Sequence, residues 1–596
     1  MHRRSFVRTA AQSAAALGLL RHLGACRPAP SGAVGFTALR DRYFLKFLEL
    51  NPVTSTYLGG DGYHPSLVAV NGRLRDYSPT ALATERAFYL GVQKELDRVD
   101  PASLETGLGI DHRVLAAQVG FMLHQQVERR YHERAVDSYI QEPFRGVDWQ
   151  IQGMSSGTGG TLGTEEEWGL VIQRVSAIPL YLETAKTNLT AGKAAGNLPD
   201  RRMVARDGIT GSRSNADYFR KTLPESAKGY LGTRPFAAAT LQRLAAAGQG
   251  AAGAWDGFAE FLAQTYDPNE TTDRFATGEA EYEWRVRNCL RDPRSARELF
   301  DYGAEQVALY EGQIFLVAEE VARTAKLKLG FVSEEEKRLG VRAVMDFLSL
   351  DSPKDDDELF RWYREAGERA VAYGREHHLF EIPPDYRLDV LPTPPVLRST
   401  IDAAYDPAPP LKKTGVGRFY LTPTGNDPAS LKTNNRASVA DTAVHEGFPG
   451  HDWNYKYMTQ HAAEISNIRW LTPGAVEDSS ASWQDALSSE GWALYCEELM
   501  AEPATDRPHG FYSPAEHLYE LQGQLLRAVR IRVDVGMHTG RMGFEEAMDY
   551  FLEHVEFRPG ARGRVDRDPA AKAATDHALR AIYRYSKWPT QAIAYN

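Results

Sequence analysis

Three residues have the types and spacing of a metal site: His445, Glu446 and His451. A His-Glu pair with a second histidine close behind is how a zinc hydrolase obtains two imidazole ligands and a general base from one element. The usual histidine spacing of four places both rings on one helical face, whereas the spacing of six found here leaves them about 120° apart on an ideal helix. Pro449 and Gly450 predict a broken or bulged helix that brings His451 round. Two packed, hydrogen-bonded histidines are the alternative.

Two glutamates follow about 40 residues further along the chain. The helical repeat of residues 483–497 puts Glu490 and Glu497, seven residues apart, within about 20° of each other on one face. Carboxylates on an apolar face are costly to bury unless a metal or a histidine pairs with them. A glutamate ligand from a second helix is the arrangement of gluzincin peptidases, and a solvated carboxylate face is the alternative. Glu497 and Asp441 are candidates for orienting the ligand imidazoles.

A third cluster consists of Arg527, Arg530, Asp534 and His538, spaced by three, four and four residues. This spacing aligns them along one face of a helix. Asp534 could hold His538 in one orientation, and such a histidine near zinc would donate a hydrogen bond to a developing oxyanion. The alternative is a surface stripe in which Arg530 and Asp534 form a salt bridge.

Four further residues are candidates for contacts with a peptide. Phe419 and Tyr420 belong to a predicted short strand, residues 418–422, which an extended peptide could join as a neighbouring strand. Arg584 could bind a terminal carboxylate through two hydrogen bonds, and the Tyr595 hydroxyl could stabilise a tetrahedral intermediate. Helix packing explains Arg584 and Tyr595 nearly as well.

The elements that must position these residues are mostly helical. Residues 36–50 repeat apolar side chains at intervals of three and four before Asn51-Pro52 ends the helix, and residues 164–167 form a capping box that opens another. The predicted fold is mainly α, a large multi-helical body with a small β element beside a zincin-like pair of active-site helices in a deep cleft. Residues 36–400 are assigned to an N-terminal helical region and residues 401–596 to a catalytic region.

Composition limits the functional classes. The chain has 596 residues, of which 43% are apolar, and 69 basic against 79 acidic residues give a formal net charge of −10. This balance disfavours nucleic acid as a partner, since phosphate binding needs basic surface. Beyond residue 26 we expect a soluble body, because no apolar run reaches the roughly 18 residues of a membrane span. Cys289 and Cys496 are expected to be buried thiols, with one bridge between them as the alternative.

The N-terminus has the pattern of an export signal. Arg3-Arg4 precedes an alanine-rich apolar stretch, which is typical of twin-arginine signals, and residues 23–26 resemble the lipobox of bacterial lipoproteins. We therefore assign residues 1–25 to a signal and residues 26–35 to a tether. The mature chain is expected to be extracytoplasmic, in the periplasm or at the cell surface, with membrane attachment only through lipidated Cys26. A frayed basic terminus followed by a short helix is the alternative.

These motifs together resemble the bacterial domain of unknown function 885 family, whose members are regarded as zinc metallopeptidase-like. The resemblance rests on HEGFPGH at 445–451, EGWALYCE at 490–497, RAVRIRVDVGMH at 527–538 and RYSKWPTQAIAY at 584–595, with PVTSTYLG at 52–59 near the start. It implies that His445, His451 and Glu490 bind the metal and that Glu446 is the base.

Two departures from the family pattern bear on function. Asp452 stands where relatives usually have a second histidine, and relatives usually continue for several dozen residues beyond the last motif. The leading hypothesis is a hydrolase with one zinc ion, other divalent metals not being excluded. It would cleave short peptides with metal-activated water and Glu446 as general base. A catalytically impaired binding lipoprotein and a zinc hydrolase of a non-peptide amide or ester stay open, and the sequence indicates no oligomeric state.

Overall fold

The computed structural model describes residues 31–200, 203–267, 277–393, 403–414, 417–471, 486–504 and 506–595. The predicted signal at residues 1–25 and the predicted lipid-attachment residue Cys26 lie outside these ranges. The first helix begins at Ser31, inside the predicted tether of residues 26–35. Among the described residues, no helix combines the length and apolarity that a membrane crossing requires.

The fold is mainly α with a small β element, as predicted. The helices before the first strand are α1 (Ser31–Leu50), α2 (Pro52–Leu58), α3 (Gly60–Tyr63), α4 (Pro79–Leu96), α5 (Thr106–Leu123), α6 (Val136–Gln152), α7 (Glu165–Ala194), α8 (Gly211–Asp217), α9 (Leu223–Leu231), α10 (Ala237–Thr265), α11 (Glu279–Arg285), α12 (Ala296–Thr324), α13 (Glu334–Leu348) and α14 (Asp356–Glu376). The helices after the last strand are α15 (Pro428–Thr433), α16 (Val439–Glu446), α17 (His451–Gln460), α18 (Ala486–Ala501), α19 (Pro514–Thr539), α20 (Phe544–His554) and α21 (Pro569–Lys587).

Local sequence signals fix several helix ends. The capping box predicted at residues 164–167 is present at the start of α7, where the Thr164 hydroxyl accepts from the backbone N–H of Glu167. The long helix α19 begins in the same way, with Ser513 as the capping residue and Pro514 in the first turn. Its last residue, Thr539, is followed by the C-cap Gly540, which has a positive φ of 75°. These capping residues allow hydrogen bonds to backbone groups that would otherwise lack partners at the end of a helix.

Three short strands form one sheet in the order β1-β3-β2: β1 (Val390–Pro392), β2 (Ala403–Asp406) and β3 (Arg418–Leu421). Strand β3 pairs in parallel with β1 and antiparallel with β2. Phe419 and other apolar residues of the sheet pack against α14 and α16. The predicted strand is therefore confirmed, and its packing holds α16, the helix that carries His445, in place.

The apolar cores join distant parts of the chain. One core is built by α4, α6, α7 and α10, and another packs α12 and α13 against α19, α20 and α21. Helix α1 shares a third core with residues 468–471, which follow the His-Glu segment. The second and third cores therefore contain residues from both sides of the predicted boundary near residue 400. Cys289 and Cys496 are both buried, and no disulfide joins these two residues, as expected.

Candidate metal centre

The two histidines lie on different helices because the helix between them is broken. Helix α16 ends at Glu446 and α17 begins at His451. In the connecting turn, the backbone N–H of Gly450 donates to the carbonyl oxygen of Val444 at 3.1 Å. A Cβ atom at Gly450 would lie 1.9 Å from the carbonyl oxygen of His445, so the close approach of the turn to α16 requires glycine. The break predicted from Pro449 and Gly450 is present.

His445, His451 and Glu490 converge on one point. The two imidazole rings lie 4.9 Å apart at 89° to each other. Oε2 of Glu490 is 3.5 Å from Nε2 of His445 and 3.4 Å from Nε2 of His451. Two ligand atoms that each lie about 2.0–2.1 Å from a tetrahedral zinc ion are themselves about 3.4 Å apart. One ligand atom from each residue lies within 4.8 Å of the others, so the three side chains fit a single metal ion.

The charges of this trio favour a cation between its members. Burial opposes charge on His445, but its contacts with Glu490 and Glu497 outweigh burial and raise its pKa. Burial likewise opposes charge on Glu490, whereas hydrogen bonds from the two histidines lower its pKa well below the ordinary value. Glu490 and Glu497 therefore stabilise positive charge at the position of His445. A metal ion that bound there would replace any proton on the Nε2 atom of His445, since ligands bind in their deprotonated form.

Glu446 is placed to act as a base. It is 9% exposed, and its Oε2 atom is buried with no hydrogen-bond partner among the described residues. Its charge is close enough to His445 to raise the pKa of that imidazole. A carboxylate oxygen without a partner beside the trio is available to accept a proton.

Glu497 orients His445. Its Oε1 atom lies 2.5 Å from Nδ1 of His445, and the side chain is fully buried. If Nδ1 carries the proton donated to Glu497, Nε2 presents its lone pair towards Glu490. Asp441, the other predicted orienting residue, makes no such contact within the described structure: its Oδ1 atom has no hydrogen-bond partner, and burial together with the charge of Glu497 raises its pKa.

Two residues of α18 hold the turn between the histidines and were not predicted. The indole N–H of Trp492 donates to the carbonyl oxygen of Pro449 at 3.0 Å, and the Cys496 thiol contacts the same oxygen at 3.4 Å. The Trp492 ring also stacks on Trp453 of α17 at 6.0 Å. The segment EGWALYCE contains both residues, but its sequence does not show which carbonyl they reach.

Asp452, which departs from the family pattern, faces away from the trio. Its Oδ2 atom accepts from the Tyr386 hydroxyl at 2.6 Å and from Nζ of Lys456 at 2.8 Å. Burial raises the pKa of this carboxyl group, and Lys456 opposes the shift. Asp452 thus fastens α17 to the segment before β1.

Replacing Asp452 with Asn is expected to reduce the free energy of unfolding by about 1–2 kcal/mol, because a buried charged hydrogen bond is lost. Metal binding should not change. Urea unfolding and metal analysis of the purified variant test both statements. Lys456→Met, which leaves the buried Asp452 carboxylate without its cation, should cost at least as much, about 1–3 kcal/mol. Loss of metal from folded Asp452→Asn would instead make Asp452 part of the metal site.

The third cluster lies in the interior of the molecule. His538 is fully buried, with Nε2 3.0 Å from the carbonyl oxygen of Tyr585 and Nδ1 3.2 Å from the Thr277 hydroxyl. Asp534 lies 3.6 Å from the ring and accepts from the hydroxyl of Tyr282 and the backbone N–H of Thr590. Because both ring nitrogens have partners, the structure gives no support to an oxyanion contact by His538.

The alternative for this cluster was a salt bridge between Arg530 and Asp534. Among the described contacts the two residues form none, and the guanidinium group of Arg530 lies 4.1 Å from the centroid of the Tyr595 ring.

The proposed strand addition at Phe419 and Tyr420 is wrong. Strand β3 is the central strand, so both of its edges are already paired, with β1 on one side and β2 on the other. Phe419 is fully buried and Tyr420 is 4% exposed, which leaves neither side chain free to contact a peptide. The Tyr420 hydroxyl instead accepts from Arg418 at 3.2 Å.

Arg584 and Tyr595 lie in different surroundings. The exposed Arg584 side chain extends over the ring of Trp588. Tyr595 is 7% exposed and contacts the guanidinium groups of Arg527 and Arg530. The carbonyl oxygen of Ala594 lies 4.0 Å from the position of a Cβ atom on Gly491, the residue after Glu490. Of the two, Tyr595 is therefore the one shown beside the ligand helix α18.

Comparison with known proteins gives a family and a fold. A family described as bacterial proteins of unknown function, DUF885, matches residues 52–596. The solved structure of a candidate lipoprotein of unknown function from Shewanella oneidensis is 17% identical with a TM-score of 0.66, and the match covers 94% of this chain and 91% of that one. A candidate lipoprotein from Colwellia psychrerythraea is 18% identical with a TM-score of 0.70, over 95% and 91% of the two chains. At these identities the likeness shows the fold alone. No curated protein shows significant similarity.

Proposed function

The chain belongs to the DUF885 family of bacterial proteins, and from this premise we propose that it is a zinc-dependent hydrolase, a metallopeptidase that cleaves short peptides. The observation that supports the proposal most is the convergence of His445, His451 and Glu490, whose ligand atoms lie within 4.8 Å of one another. Two imidazoles and one carboxylate are the ligand set of catalytic zinc sites that keep a position open for substrate.

The chemistry is divided among a few side chains. His445, His451 and Glu490 would hold the ion, which when bound supplies a Lewis acid that polarises the scissile carbonyl group. Glu446, whose Oε2 atom has no hydrogen-bond partner in the described part of the chain, takes the proton from the attacking water and passes it to the leaving amine. Glu497 fixes the ring of His445 during both transfers.

The proposal includes a location outside the cytoplasm. The two structural relatives are described as candidate lipoproteins, and this chain has a lipobox-like segment that ends at Cys26. We propose that the mature protein is attached to a membrane through a lipid on Cys26 alone. Peptides are the proposed partners, and the net charge of −10 argues against nucleic acid.

Metal analysis of the purified mature protein tests the proposal. After dialysis against metal-free buffer and resupply of zinc, we expect about one zinc ion per chain, as a single three-ligand site requires. His445→Ala should hold almost none. His461→Ala is the matched control, because this partly exposed histidine on the same segment contacts Glu464 and should not affect the metal. If the folded wild-type protein holds neither zinc nor another divalent metal, the proposal fails.

A further inference from the structure

A group of buried acids lies behind the ligand His445. Asp441, Glu497 and Glu520 are 8%, 0% and 1% exposed. Burial and the charge of Glu497 raise the pKa of Glu520 to about 8 and raise that of Asp441 as well. Buried carboxylates repel one another and need a cation nearby.

Arg527 of α19 provides that cation. Its Nη2 atom lies 3.5 Å from Oε1 of Glu497, the same oxygen that contacts Nδ1 of His445. Within the described ranges, His445 and Arg527 are the two basic side chains that form ion pairs with Glu497. Burial alone would lower the pKa of Arg527, but Glu497 and Asp441 outweigh it and raise that pKa.

Two further contacts hold the Arg527 side chain. Nη1 donates to the carbonyl oxygen of Gly523 at 3.2 Å, and the guanidinium carbon lies 5.7 Å from the centroid of the Tyr595 ring. A Cβ atom on Gly523 would lie 2.9 Å from Oδ2 of Asp441 and 3.1 Å from Nη1 of Arg527. The glycine therefore provides the space in which these two groups approach each other.

We propose that Arg527 is a positioning residue of the metal centre: it holds the Glu497 carboxylate in the orientation that fixes the ring of His445. The inference rests on the proposed metal site and adds a second layer behind its ligands. The route is a series of direct contacts, from Arg527 to Glu497, from Glu497 to Nδ1 of His445, and from Nε2 of His445 to the position of the ion. Such outer contacts affect metal affinity because a misoriented imidazole binds more weakly.

The test measures zinc affinity by competition with a chromophoric chelator. Arg527→Met should weaken affinity by about 10- to 100-fold, the usual effect of removing an outer contact of a ligand. Arg527→Lys should lose less, because it keeps the charge and one donor. Arg532→Met is the matched control: Arg532 is on the same helix and stacks on Phe300, away from Glu497, and its loss should leave zinc affinity unchanged. In the cobalt-substituted proteins, only the Arg527 variants should show an altered visible spectrum.

A double-mutant cycle separates positioning from general destabilisation. If Arg527 acts through Glu497, then Arg527→Met should weaken zinc binding little further in a Glu497→Gln protein. Additive losses, or wild-type affinity in folded Arg527→Met, would overturn the inference and leave the metal site standing. If Arg527→Met does not fold, Arg527→Lys enters the same cycle and decides in the same way. Absence of metal from the folded wild-type protein would overturn both the proposed function and this inference.

Discussion

Replacing Glu446 with Gln is expected to reduce peptide hydrolysis by about 10³-fold while metal content stays at the wild-type level, since general base catalysis contributes about 10²–10⁴-fold. An amide has nearly the size of the carboxylate but cannot accept the proton of the attacking water. The Oε2 atom has no hydrogen-bond partner among the described residues, so the substitution removes no hydrogen bond at that atom. The measurement is kcat/KM on a quenched-fluorescent peptide library, with zinc content determined on the same samples.

Glu464→Gln is the control for this prediction, because Glu464 is an exposed glutamate beyond the end of α17. It should keep full activity. A Glu446→Gln protein that retained a tenth of wild-type hydrolysis with metal bound would show that another group takes the proton. If the Glu446→Gln protein lost its metal together with its activity, Glu446 would be assigned to metal binding.

The broken helix and the shared face of the two glutamates were predictable because both features are local or periodic in the sequence. The six-residue spacing of His445 and His451 is incompatible with one straight helix, and Pro449 and Gly450 indicate where the break lies. The seven-residue spacing of Glu490 and Glu497 places both on one face of α18, and both carboxylates reach the same imidazole, one at each ring nitrogen. Helical geometry is sufficient for the break and for the shared face, whereas the contacts of both carboxylates with His445 come from the structure.

The strand addition failed and the role predicted for His538 gained no support, because each depends on which distant segment covers the residue. Phe419 has the sequence of a strand, but strand order places β1 and β2 on both sides of it, and β1 comes from about 30 residues earlier. The spacing of His538 gives its face on α19, yet residues near Thr277 and Tyr585 occupy that face. Periodicity gives the direction of a side chain along its own helix and carries no information about the partner.

The same limitation explains why Arg527 was assigned no role of its own in the metal site. Its spacing places it on one face of a helix with Arg530, Asp534 and His538. In the structure these residues contact different partners. Arg527 reaches Glu497, whereas His538 contacts the backbone of α21. The same face of α19 therefore contacts Glu497 at one end, through Arg527, and the C-terminal helix α21 at the other, through His538.

Gly450→Ala should have the largest effect on stability and should also remove the metal. A Cβ atom at this position would lie 1.9 Å from the carbonyl oxygen of His445 and 2.4 Å from that of Val444, and both are backbone atoms of the ligand helix. We expect the free energy of unfolding to fall by about 3–5 kcal/mol, as for severe overpacking. Because the turn must move away from α16, His451 should leave the trio and zinc content should fall towards zero.

Gly491→Ala is the control for this prediction. A Cβ atom at Gly491 would approach nothing closer than 4.0 Å, so this substitution should change the free energy of unfolding by under about 1 kcal/mol. Urea unfolding and metal analysis decide, and a Gly450→Ala protein with wild-type stability and zinc would show that the broken helix does not depend on this close approach.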